Sequence, residues 1–481
     1  MTDAVVQLAQ SILAKPSAVE PRLDPDLTDT GNAERLVRNI GSEIRYVPGL
    51  GWFVWDGKRW REDHLAMVVE HAKLTARAIF SEAVRAESEG KQKEVAKWAL
   101  KSQDRNRIEA MLALARSEPG VGIMPDELDP DPWLFNCQNV TVDLRTGKMK
   151  QHDPANLITK IAPVVYDPTA TYPKWEAFLT KIFPGKPYLP FFLKQAVGYS
   201  LTGNTREQCI FIPYGTGQNG KSTFIDTISR IMGEYAGNVP VEAMLISKRD
   251  GDSAAIAKLR GDRFVTASEA EAGKRLAESL VKQMTGGEKM TAKLLYKNYF
   301  DFYPQFKLWL STNNKPVIRG TDEGIWRRIR LIPFDYRIPD QEKIPDFHKT
   351  FEDELPGILA WAVAGCAEWF ENGLIVPDEV KVATKSYRAD MDILGNFLDE
   401  CCTVADGLQI RSSILYQEYV VWCDKNGEYK ASNKAFSGAL TARDFGRRHT
   451  RDGSVWHGIS VVNLEKTETY IQNNGVTGDG S

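Results

Sequence analysis

The sequence predicts an α/β protein in which a phosphate-binding core sits between a smaller α/β domain and a C-terminal helix-and-wing domain. Three observations carry this expectation: a glycine-rich strand-loop-helix pattern over residues 209–232, two later apolar strands that end on polar residues, and changes of composition near residues 165 and 377. At 481 residues the chain exceeds the usual size of one domain, in keeping with two or three.

Residues 1–30 form the lead-in, where the prolines of "KPSAVEPRLDPDL" argue against regular structure. The first domain, 31–165, opens with "WFVWDGKRW", a predicted hairpin turning at Asp56-Gly57. Leu65, Val68, Val69, Ala72, Ala76, Ile79 and Phe80 then recur at helical spacing, and a second helical stretch runs through Val95, Trp98, Ile108, Met111 and Leu112. "LFNCQNVTVDLRTGKMKQHDP" closes the domain with a hairpin turning at Thr146-Gly147. "VVYDPTATYPKWEAFL" reads as a linker entering a helix at Trp175, so the core domain spans 166–376. After Pro377 comes the C-terminal domain, 377–481, whose end "NNGVTGDGS" is expected to be a flexible tail.

A formal net charge of −3 neither requires nor excludes nucleic acid, because acidic surface elsewhere can mask a basic channel. The six cysteines form no C-x-x-C pair and no run of histidines offers a zinc set, so reduced thiols are expected. No apolar segment reaches membrane-spanning length, and the lack of lysine or arginine in the first residues leads to no expectation of a basic leader. The expectation is a cytoplasmic protein with no membrane partner.

"FIPYGTGQNGKSTF" fits G-x-x-x-x-G-K-[ST] through Gly215, Gly220, Lys221 and Ser222, with Gly217, Asn219 and Thr223 completing the loop. Cys209 to Ile212 supply the strand before it, and Phe224, Ile225, Ile228, Ile231 and Met232 the apolar stripe of the helix after it. Backbone N–H groups of such a loop face phosphate, Lys221 neutralises β/γ charge and Ser222 ligates Mg2+, so ATP and Mg2+ are the expected ligands. A nucleotide hydrolase also needs carboxylates at a neighbouring strand end. "DRFVTASEAE" offers Glu269 and Glu271 after the strand Phe264–Ser268, and "KLWLSTNNKP" ends on Asn313, a neutral group able to hold a γ-phosphate or the attacking water. "DEGIWRRIRLIPF" adds adjacent Arg327 and Arg328, either of which could stabilise charge on a transferred phosphoryl group.

In this order, with "KQMTGGEKMTAKLLYKN" between the strands, these motifs resemble a superfamily 3 helicase of the phage and plasmid primase-helicase type, akin to the poxvirus helicase-primase. The resemblance is strongest from Trp175 to Phe334 and weaker on both flanks. It implies an AAA+ type P-loop ATPase core, a winged-helix-like C-terminal domain, a homo-hexameric ring that hydrolyses ATP at subunit interfaces, and 3′ to 5′ movement on single-stranded DNA. Carried over by motif, Lys221 and Ser222 bind phosphate and Mg2+, Glu269 with Glu271 is the acidic pair, Asn313 the sensor, and one of Arg327 and Arg328 the finger. The spacing E-x-E leaves open which glutamate polarises water, with Glu269 favoured as first off the strand.

Lys289, Lys293 and Lys297 recur every four residues, one face of a helix or the arms and tip of a hairpin. In the helicases resembled, a hairpin before the sensor strand grips DNA in the ring channel, which implies DNA contact at Lys297 first. Tyr296, Tyr299 and Phe300 could stack on bases or belong to the core. Near the C-terminus, "RDG" turns a hairpin after a helix through Phe436 and Leu440, leaving Arg447, Arg448 and Arg451 for duplex or forked DNA, or else for a small oligomer-stabilising domain.

Primases of this family type need paired carboxylates on a strand. The D-x-D triplets of the N-terminal region, Asp24-Pro25-Asp26 and Asp129-Pro130-Asp131, each contain a proline unsuited to an interior strand, so a primase would come from another polypeptide, together with other replication proteins. The expected function is a replicative DNA helicase of a phage or mobile element. An ATP-switched origin-binding initiator or loader is the alternative, and a motor acting on protein a third class.

Overall fold

The computed structural model describes residues 25–246, 253–268, 273–293, 299–320, 322–342, 344, 346–451 and 453–462. They fall into two units, one of residues up to 143 with 148–165 and 293–302, the other of 144–147, 166–292 and 303 onward.

In the first unit, helix Asp29–Ile40 is capped by Thr28, whose Oγ1 accepts from Gly31 N at 3.0 Å. It shares a core with helices Met67–Arg85 and Arg105–Ala115 through Leu36, Val68, Ala72, Ala76 and Met111. The predicted stripe starts two residues early: Leu65 is 80% exposed, because the Asp63 carboxylate accepts from Met67 N (2.7 Å) and Val68 N (2.9 Å) and sets the first turn there. The second predicted stretch is two helices, Glu89–Ser102 and Arg105–Ala115, interrupted at Gln103-Asp104.

Strands β1 (Ile44–Val47), β2 (Gly51–Trp55) and β3 (Trp60–Glu62) make an antiparallel sheet. The β2–β3 turn centres on Gly57-Lys58, one residue later than expected. Asp56 N donates to Arg59 O at 3.0 Å, and Gly57 takes φ +92°, which a residue with a Cβ rarely adopts. β4 (Leu134–Asn136), β5 (Thr141–Asp143) and β6 (Lys148–Lys150) form a second antiparallel sheet, turning through Thr146-Gly147 as predicted. Of the two D-x-D triplets, Asp24 lies outside the described residues. The buried Asp129 carboxylate accepts from Thr159 N (2.8 Å) and Oγ1 (2.6 Å), and Asp131 Oδ1 accepts from Trp133 N (2.9 Å).

The second unit is built on β7 (Ile210–Tyr214), β8 (Ala236–Asn238), β9 (Phe264–Ser268), β12 (Lys307–Ser311) and β13 (Ile329–Pro333). They form a parallel sheet in the order β13-β7-β12-β9-β8. β10 (Met290–Lys293) ends this stretch of the second unit, and β11 (Tyr299–Phe302) belongs to the first; residues 294–298 lie outside the described residues. The central strands are continuously apolar, with Ile210, Phe211, Ile212, Leu308, Trp309 and Leu310 all buried, as a sheet covered on both faces requires. Helix Lys221–Met232 covers one face with Phe224, Ile228 and Ile231. Trp175, from helix Pro173–Ile182, stacks on Phe224 at 5.6 Å and meets Phe351 and Trp361 edge-on. That helix is capped from far along the chain: the Glu354 carboxylate accepts from Lys174 N and Trp175 N, both at 2.9 Å.

Helix Asp378–Asp390 follows the expected boundary at 377 yet packs on β13, where Leu331 N donates to Thr384 Oγ1 at 3.1 Å and Tyr387 meets Trp326 edge-on. A separate core begins at helix Ile393–Cys401 and continues through β14 (Cys402–Arg411), helices Ser412–Asn426 and Asn433–Thr441, β15 (Gly446–Thr450) and β16 (Gly453–Val461). Phe397, Tyr419, Trp422, Phe436 and Trp456 fill it beneath an antiparallel sheet ordered β14-β16-β15. Among the described residues no helix is long and apolar enough to cross a membrane.

Candidate active site

The loop 215–220 leaves the C-terminal end of β7 between neighbours β13 and β12 and runs into helix Lys221–Met232. Two glycines permit this path. A Cβ on Gly215 would lie 2.3 Å from Phe334 O, and Gly220 combines φ +85° with Ile182 and Phe178 side chains packed against it. Asn219 Nδ2 donates to Phe334 O at 2.9 Å and fastens the loop to the end of β13.

Lys221 is 5% exposed, and its Nζ donates to Gly215 O (2.7 Å), Asn219 Oδ1 (3.1 Å) and Asn313 Oδ1 (3.1 Å). Burial without a carboxylate partner among these contacts lowers its pKa to about 8. Asn313 reaches it from just past β12, as the strand-ending pattern predicts.

Beside the loop opens a cavity of about 690 Å³. Gly217, Asn219, Gly220, Lys221, Ser222 and Thr223 line its polar side together with Ser268 and Asn313. Phe178, Ile182, Ile338 and Phe347 line an apolar side that the sequence did not point to. These come from separated elements and leave no local periodicity to read. Ser268, the last residue of β9, lies on the cavity wall. Glu269 and Glu271 themselves lie outside the described residues.

The arginine pair sits at the other end of the sheet. Arg328 O accepts from Ile210 N, at the start of β7, and β13 then runs five residues alongside β7. At 3.3 Å per residue that places the pair roughly 15 Å from the phosphate loop of the same chain. The two side chains differ. Arg328 is buried, with Nε donating to Thr285 Oγ1 at 3.1 Å and Nη1 to Gly324 O at 2.5 Å, and burial lowers its pKa. Arg327 is exposed, and its Nη2 donates to Gln208 Oε1 at 2.9 Å. Structure therefore separates two residues that adjacency in sequence could not.

Three family models and several viral proteins resemble parts of the chain. Residues 33–184 match the D5 N-terminal-like family, 389–457 the poxvirus D5 protein-like family, and 214–328 a family of unknown function. A protein of Acanthamoeba polyphaga mimivirus named as a candidate helicase is 27% identical over 64% of this chain and 34% of its own length. A candidate helicase of Frog virus 3 is 26% identical over 53% of this chain and 28% of its own. A candidate primase of African swine fever virus is 23% identical over 42% and 22%. These matches support a superfamily 3 helicase-primase family for the chain. It spans about a third of the length of the curated relatives it matches. Among solved structures, the C-terminal region of NrS-1 aligns over 88% of this chain and 97% of that one at 11% identity, with a TM-score of 0.47.

The lysines expected to contact DNA are placed in part. Lys289 is exposed just before β10, and Lys293 ends that strand, so the four-residue spacing belongs to a strand and not a helix. Lys297 lies outside the described residues. In the C-terminal core, Arg447, Arg448 and Arg451 are exposed on β15 and the turn after it, with the Arg447 guanidinium 5.6 Å over Trp456.

Proposed function

We propose that this chain is the ATP-hydrolysing part of a replicative DNA helicase from a virus or mobile element, working as a hexameric ring that moves 3′ to 5′ on single-stranded DNA. The observation that carries the reading is the 3.1 Å contact between Lys221 Nζ and Asn313 Oδ1, two groups 92 residues apart brought to one cavity at the C-terminal edge of a parallel sheet. The strand order, with the phosphate-loop strand second and the asparagine strand third, supports an AAA+ type core. The helix-sheet order from Ile393 to Val461 supports a winged-helix domain.

In this reading the backbone N–H groups from Gly217 to Thr223 face the phosphates and Lys221 exchanges its internal oxygens for β/γ-phosphate oxygens. Asn313, released from Lys221, holds the γ-phosphate or the attacking water. The donor set suits a divalent ion: Ser222, on the cavity wall, and Glu269 would hold Mg2+, which supplies neutralisation of phosphate charge. Glu269, or Glu271, polarises the attacking water. Arg327 is the finger, because it is exposed and too far from its own loop to act anywhere but on a neighbouring subunit's nucleotide. Arg328 anchors its segment. Apolar contact from Phe178, Ile182 and Phe347 gives a base a wall to lie against.

Lys289, Lys293 and Lys297 would grip single-stranded DNA, and the C-terminal arginines would meet the duplex at a fork. The exposed β15 arginines equally suit an origin-binding initiator that switches with ATP. Displacement from forked substrates bearing a 3′ or a 5′ tail separates the two. Strand displacement from the 3′-tailed fork supports the helicase, whereas DNA-stimulated hydrolysis with no displacement on either fork supports the initiator.

A further inference from the structure

We propose that Gln208 is a positioning residue that couples the trans-acting arginine to the root of the DNA-gripping segment. This rests on the ATPase reading above. Gln208 lies two residues before β7 in a left-handed conformation, φ +47°, unusual for a residue with a Cβ, and its N–H donates to Thr205 O at 3.0 Å. Its amide works in both directions. Oε1 accepts from Arg327 Nη2 at 2.9 Å, and Nε2 donates to Gly286 O at 3.3 Å.

Gly286 ends helix Glu278–Gly286, the element that leads within three residues to Lys289 and then β10. The preceding residue, Thr285, accepts from Arg328 Nε. The arginine pair is thus joined to the last turn of this helix at two successive residues, Arg328 directly and Arg327 through Gln208.

The bridge stands on firm ground. Arg206 lies 4.0 Å over the Trp369 ring, and Glu207 accepts from Trp369 Nε1 at 2.8 Å, so the chain just before Gln208 is clamped to helix Leu355–Asn372. A carboxylate at 208 would keep an acceptor for Arg327 and lose the donor to Gly286. A hydrocarbon would lose both. An amide at this position does what neither can, which is to make the orientation of Arg327 sensitive to the position of the helix end beside Lys289.

The test is the ratio of ATP turnover with saturating single-stranded oligothymidylate to turnover without it, measured on the full chain. Gln208→Leu is expected to lower that ratio about tenfold, the loss typical of a hydrogen bond to a charged group. Gln208→Glu, isosteric with the native residue and so safe for folding, is expected to lower it as well. A purely structural role would depress both turnover numbers and leave their ratio intact. Wild-type ratios in both variants would overturn the coupling. Absence of DNA stimulation in the wild type would overturn the underlying reading and the inference with it, before any variant is made.

Discussion

The two edges of the five-stranded sheet both present cations, and they do so in opposite ways. At the C-terminal edge Lys221 is buried, desolvated and held by three neutral oxygens, a cation waiting for an anion to be brought to it. At the N-terminal edge Arg327 is exposed with a single amide acceptor among its side-chain contacts, a cation placed to reach outward, while its neighbour Arg328 is spent on holding the segment. On the proposed reading the two cations are halves of one site that cannot meet within a single chain. A ring of copies would bring the edge of one against the edge of the next.

The comparison breaks most visibly at its two cations. Arg327→Ala should lower kcat by about 10³–10⁵, the range for a trans arginine, with no change in thermal midpoint. Lys221→Ala should abolish nucleotide binding, read by a fluorescent ATP analogue. Arg328→Ala should instead destabilise the fold by about 2–3 kcal/mol in a denaturant titration, because the buried Thr285 hydroxyl and the Gly324 carbonyl lose their donor. If the two arginine variants exchange phenotypes, the assignment of roles is reversed.

A finer distinction lies in pH. Lys221 titrates near 8 in the folded chain, below its ordinary 10.5, so between those values the unfolded chain binds the extra proton and stability rises with pH. At pH 7 the charged amine therefore weakens the nucleotide-free fold. Lys221→Met should raise the thermal midpoint at pH 7, with the gain shrinking as pH climbs past about 8. Nucleotide affinity of the native protein should fall over the same window as the amine loses its charge. The smallest effect concerns the C-terminal arginines: Arg447→Ala and Arg448→Ala should each reduce the salt dependence of fork binding by about one unit of slope and leave turnover unchanged.

Much of this frame is legible in the sequence. The strand-loop-helix around Lys221 could be read because an apolar run, glycines and a 3.6-residue stripe all lie within one short segment. β9 and β12 could be read because buried parallel strands are uniformly apolar and end abruptly on polar residues. What escaped is long-range. The apolar wall of Phe178, Ile182 and Phe347, the Asn219 tether to Phe334 and the cap that Glu354 gives to Trp175 join residues with no shared periodicity. The arginine pair could not be divided for a local reason: successive residues leaving a helical turn point about 100° apart, and only packing decides which faces inward. The turn at Gly57-Lys58 slipped by one because the backbone pair closing it is Asp56 with Arg59, not Trp55 with Lys58.

The central claim, that each site is completed by the next subunit, is tested most directly by mixing two inactive variants, Lys221→Ala and Arg327→Ala, and measuring ATP hydrolysis. Where an intact loop meets an intact arginine from the adjacent chain, activity should return in the mixture. If every mixing ratio stays as inactive as its parents while wild-type chains exchange subunits freely, Arg327 does not act across the interface and the account fails.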